Sequence, residues 1–118
     1  MIKLKIGVMP RDQFQRRILD IAAGKIIPSR DEPKIWFSSL KSLSQVLSEN
    51  NVRLLKLMEE HNPESLSDLA LLSGRQPSNL SRTLKTLERY GLVELKKKDK
   101  TLKPIAKATA FDIQYAVV

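Results

Sequence analysis

Residues 65–93 read SLSDLALLSGRQPSNLSRTLKTLERYGLV, and this stretch decides the fold. Ser65 and Asp68 stand at the spacing of a capping pair that opens a helix, and Leu66, Leu69, Ala70 and Leu72 then fall on roughly one helical face. Gly74 can take the positive φ at which a helix stops. Pro77 has a fixed φ and no N–H to donate, so it suits the first turn of a second helix. Only the turn Ser73 to Gln76 lies between the two. From Pro77 to Tyr90, Leu80, Leu84 and Leu87 follow at i, i+4 and i+7, which predicts one buried stripe, and Gly91 is placed to end the helix. The pattern is that of a helix-turn-helix running into a strand.

On the side of the second helix away from its leucines, Ser78, Arg82, Lys85 and Arg89 cluster at 100° per residue. Asn79, Ser81 and Thr86 flank them, and Glu88 is the one carboxylate near the edge. Guanidinium, ammonium, amide and hydroxyl groups are those that contact phosphates and base edges in a major groove. The spacing Ala70, Gly74, Leu80 is similar to that of helix-turn-helix DNA-binding proteins, and Leu87 with Gly91-Leu92-Val93 resembles the end of winged helix domains of the MarR-like type. The run from Ile35-Trp36-Phe37 through Leu40, Leu43 and Val46 to Gly91 also resembles a family of small prokaryotic predicted transcriptional regulators, some of which sit beside toxin genes as antitoxins.

Charge supports a polyanionic partner. The 118 residues hold 21 Lys+Arg against 13 Asp+Glu, a net of +8. Residues 75–103 carry nine cations and three acids, so +6 of that total lies on and just after the second helix. Residues 49–68 carry two cations and five acids, a net of −3. One face of the domain is expected to be basic and another acidic.

In chain order, Ile2, Leu4, Ile6 and Val8 alternate with Lys3, Lys5 and Gly7, predicting a strand over Met1 to Val8. A helix from Arg11 to Ala23 follows, with Phe14, Ile18, Ile21 and Ala22 expected on its buried face. Ile26 to Pro33 is a connector. Ile35-Trp36-Phe37 reads as a short strand before a Ser38/Ser39 cap and a helix through Leu40, Leu43, Val46 and Leu47. The next helix spans Asn51 to His61, with Val52, Leu54, Leu55, Leu57 and Met58 on a wide apolar face. After Gly91, Leu92 to Leu95 and Thr101 to Ile105 read as strands either side of a charged tip, Lys96 to Lys100, the expected wing. Phe111, Ile113, Tyr115 and Val117 alternate with polar or small residues in a last strand.

The expected fold class is mainly α with a small β component, a winged helix-turn-helix with N- and C-terminal β extensions. Its parts are an N-terminal strand and helix (1–33), the DNA-binding domain (34–107) and a C-terminal dimerisation strand (108–118). The expected function is a sequence-specific DNA-binding transcriptional regulator, a homodimeric repressor with helix 77–90 in the major groove. The alternative is an antitoxin that binds a toxin protein and autoregulates its operon. The residues expected on DNA are Arg75, Gln76, Ser78, Asn79, Ser81, Arg82, Lys85 and Arg89 from the helix and its turn, and Lys96, Lys97, Lys98 and Lys100 from the wing.

An enzyme is disfavoured: there is no Cys, one His, four Gly and no hydrolase or phosphate-loop motif. His61 has no partner at metal-ligand spacing, so neither a metal nor a cofactor is expected. Aromatics at 5% leave little for stacking on RNA bases. No apolar run is long enough to span a bilayer, and MIKLKIGVMP does not read as a secretory signal, so the expected location is the cytoplasm.

Overall fold

A computed structural model of the chain describes residues 3–115. Its elements in order are β1 (Lys3–Val8), α1 (Arg11–Ala22), β2 (Ile35–Phe37), α2 (Leu40–Val46), α3 (Glu49–His61), α4 (Leu66–Ser73), α5 (Pro77–Arg89), β3 (Val93–Lys98), β4 (Thr101–Ala106) and β5 (Ala110–Tyr115). Among the described residues, helix accounts for 47% and strand for 24%. The fold is therefore mixed α/β, which corrects the expectation of a mainly α protein with a small β component. The physical reason is pairing at long range. The two terminal strands, expected to pair with each other, with the Ile35 to Phe37 segment or across a dimer interface, join with β2 in a single sheet of order β2-β1-β5.

The described residues divide into two compact units, Val46–Ala110 together with Lys3, and Leu4–Gln45 together with residues 111–115. The first is held together locally. Ser48 caps α3 by accepting from the Asn51 N–H at 3.3 Å, and Asn62 closes that helix in the left-handed conformation, φ 47°. Ser65 caps α4 by accepting from the Asp68 N–H at 3.1 Å. Gly74 ends α4 at φ 71°, its N–H bonded to the Ala70 carbonyl. Pro77 opens α5, and the Gly91 N–H bonds back to Glu88 at φ 80°.

The core of this unit is Leu54, Leu55 and Met58 of α3, Leu69 and Ala70 of α4, Leu80, Leu84 and Leu87 of α5, and Leu92 and Val93 entering β3. Fully burying one such side chain contributes about 1.5–3 kcal/mol, so the leucine stripe fixes which side of α5 faces out. The antiparallel pair β3 and β4 runs in register from Val93 opposite Ala106 to Lys98 opposite Thr101. The ladder thus extends through Lys96, Lys97 and Lys98, which were expected in the tip. Only Asp99 and Lys100 make the turn, with Asp99 at φ 54°.

In the other unit β1 is central, paired in parallel with β2 so that Ile6, Gly7 and Val8 oppose Ile35, Trp36 and Phe37. Gly7 leaves room for a ring: a Cβ there would lie 2.3 Å from an atom of the Trp36 indole. Phe14 of α1 stands against that indole with ring centroids 5.6 Å apart. Arg17 of α1 pairs with Glu32, holding that carboxyl below the usual glutamate range. The expected apolar face of α1 is covered only in part: Phe14 and Ile21 are half-buried, while Ile18 and Ala22 are exposed. None of its residues is buried, and Ile18 and Leu19 are 49% and 69% exposed. The expected strand residues Met1, Ile2 and Val117 lie outside the described residues. Among those described, no helix is long and apolar enough to cross a membrane.

Candidate nucleic-acid interface

The burial of Leu80, Leu84 and Leu87 turns Ser78, Arg82, Lys85 and Arg89 outward, and all four are exposed. None of their side chains makes a hydrogen bond or ion pair among the described residues. The three cations are thus uncompensated on one helical stripe. The first turn of α5 holds no acidic residue, so nothing there cancels the partial positive charge of the helix start. Gln76, at the N-cap with extended backbone, and Asn79 are exposed beside that start, with no side-chain cap bond made. Ser81 is half-buried at the edge of the stripe. Thr86, which flanks it, donates its hydroxyl to the Arg82 carbonyl at 3.2 Å and so serves the helix backbone.

Arg75 stands apart from this stripe. Its guanidinium donates to the Asn50 carbonyl at 2.7 Å and to Asn51 Oδ1 at 3.3 Å, tying the α4–α5 turn to the beginning of α3. Ser73 supports the same turn by accepting from the Arg75 N–H at 3.3 Å.

The lysines of the hairpin separate by the period of the strand. Lys96 and Lys98 fall on one face and Lys97 on the other, so the three do not present a common surface. Lys96 lies directly opposite Lys103, a like-charge pair that would repel. Glu64, the residue before the α4 cap, answers this charge. Its carboxylate accepts from Lys98 at 3.1 Å and from Lys103 at 3.2 Å. Those two ammonium groups, Lys98 first, hold the Glu64 carboxyl below the usual glutamate range. Lys96, Lys97 and Lys100 are exposed and make no ion pair among the described residues. Lys100 also borders a cleft of about 270 Å³ with Ser65, Ser67 and Thr101, where the hairpin turn approaches the start of α4.

Glu64 and Lys103 had no place among the expected site residues. Glu64 is 34 residues from Lys98 and 39 from Lys103, and no local motif joins positions that far apart. The one signal available was Lys103 itself, a strand lysine opposite another lysine, which calls for a nearby carboxylate.

Residues 46–113 match the model of the protein family described as HVO_A0114, and the matched stretch contains all of Val46–Ala110. No curated protein matches. The match spans more than half of the chain, and the chain belongs to the HVO_A0114 family.

Proposed function

We propose that this protein is a sequence-specific DNA-binding transcriptional regulator, a cytoplasmic repressor acting as a homodimer and without enzymatic activity. In this reading α5 enters the major groove and the β3–β4 hairpin lies against the phosphate backbone. One observation carries it: Ser78, Arg82, Lys85 and Arg89 share the outward side of a helix whose other side is anchored by three buried leucines, and the three cations have no ion-pair partner among the described residues. Uncompensated cations in a row cost self-repulsion that a duplex relieves. The resemblance of Leu87 and Gly91-Leu92-Val93 to MarR-like regulators supports the same reading. A single helix covers one half-site, and a two-fold pair would place two such helices about one duplex turn, ~34 Å, apart. The exposed Ile18 and Leu19 of α1 support a protein contact in the second unit.

The test begins by selecting bound duplexes from a random pool and measuring affinity by fluorescence anisotropy. Arg82→Ala is expected to weaken binding to the selected sequence by roughly 1–3 kcal/mol and leave the melting temperature within a degree or so of wild type. Equal weakening on selected and random duplex would reassign Arg82 to backbone contact. Full affinity in the variant would remove α5 as the reading element.

A further inference from the structure

A second basic feature lies beside the start of α5. Asn50, Arg53, Leu54, Leu57, Ser73 and Arg75 line a cleft of about 330 Å³ within the Val46–Ala110 unit. Leu54, buried, and Leu57, half-buried, lie in its lining beside the two arginines. Arg75 is fixed by its bonds to Asn50 and Asn51. Arg53 is loosely held, 3.5 Å from Asn50 Oδ1 and 3.9 Å from the Glu49 carboxylate, with 73% of its side chain exposed. The arrangement is one fixed and one adjustable guanidinium at a shared cleft, a pairing suited to the oxygens of a phosphate.

Its place in the chain says which phosphate. Arg75 is two residues before Pro77, the first residue of α5. A helix with its side chains is about 10–12 Å across and the major groove about 12 Å wide, so groups beside the first turn of an inserted helix meet the backbone rather than the base edges. We infer that the cleft formed by Arg53, Arg75 and Asn50 is an oxoanion seat that takes a backbone phosphate flanking the groove entered by α5. This deepens the DNA-binding reading and rests on it. A small phosphorylated compound offers the same oxygens, and the experiment separates the two sources.

Arg53→Gln removes the adjustable charge at an exposed position, and an unchanged melting temperature checks that the fold is intact. Duplex affinity is measured for wild type, Arg53→Gln, Arg53→Lys and Arg82→Ala between 50 and 200 mM salt. Loss of one phosphate contact is expected to lower the salt slope by about 0.9 in Arg53→Gln, on selected and random duplex alike, with the slope kept in Arg53→Lys. In parallel, inorganic pyrophosphate is titrated into the wild type while backbone amide resonances are followed. Shifts centred on Asn50, Arg53 and Arg75, lost in Arg53→Gln, are expected. If Arg82→Ala weakens duplex binding while Arg53→Gln matches wild type, the seat for a DNA phosphate is overturned and the α5 reading stands. If the wild type binds no duplex but pyrophosphate shifts those resonances, the DNA reading fails and the cleft belongs to a free phosphorylated compound. If neither probe responds, the oxoanion seat is overturned.

Discussion

Glu64 shows how one side chain can set the charge that a whole hairpin offers. Its carboxylate holds Lys98 and Lys103 together, and with its pKa depressed in the folded state, those contacts stabilise the protein above the unfolded pKa of the group. The contribution is lost as pH falls through the folded pKa, so the hairpin is expected to loosen only on acidification below the ordinary glutamate range. Following the Glu64 carboxyl by NMR should place its midpoint under that range, and Glu64→Gln should remove this part of the pH dependence. The same variant frees two ammonium groups. If the hairpin meets DNA backbone, Glu64→Gln should bind random duplex more tightly, with a salt slope steeper by up to about 0.9 for each lysine released. Unchanged affinity would show that this face of the hairpin stays clear of the duplex. Such an effect was not legible in the sequence, where Lys98 reads as one more cation in a run. By contrast, Ser78, Arg82, Lys85 and Arg89 were placed together from spacing alone, because a helix fixes side-chain direction within one turn.

Helices α4 and α5 were legible because each carries its own start, stripe and stop, Ser65 to Gly74 and Pro77 to Gly91, whereas α3 was read from its stripe, as Asn51 to His61, and its Ser48 cap starts it at Glu49. Nothing comparable marks a sheet. The pairing of Ile6 with Ile35 depends on residues far apart in sequence, and alternation in β1 or β5 says only that a strand is half-buried, never which strand lies beside it. Helix α1 shows the opposite failure, since its pattern called for burial of Ile18 and both Ile18 and Leu19 remain in the open. In α5 the two sides of the helix can be tested apart. Leu84 is fully buried, and Leu84→Ala is expected to destabilise by about 2–5 kcal/mol in chemical denaturation, through lost burial and the cavity left behind. At temperatures where that variant is still folded it should keep its preference among duplexes, because Arg82 and Lys85 project from the other side. A loss of preference without a loss of stability would mean that the leucines position the reading groups more finely than a rigid helix allows.

At the scale of the molecule, the family match and the compact unit Val46–Ala110 nearly coincide, and the second unit draws on both ends of the chain. In that second unit β1 has β2 on one edge and β5 on the other. Truncation from Phe111 to Val118 removes β5 and bares a strand edge, and the shortened protein is expected to sediment as a monomer or aggregate and to bind a palindromic site far more weakly. A stable dimer with full affinity would assign the dimer contact to α1. The order of strands in this sheet also has a consequence for the ribosome. Strand β1, made first, must wait for β5 until about 100 further residues have been added, roughly 5–20 s at ordinary synthesis rates. Through that interval β1 stands in an unfinished sheet, whose open edge is free to pair with a neighbouring polypeptide on the same messenger RNA.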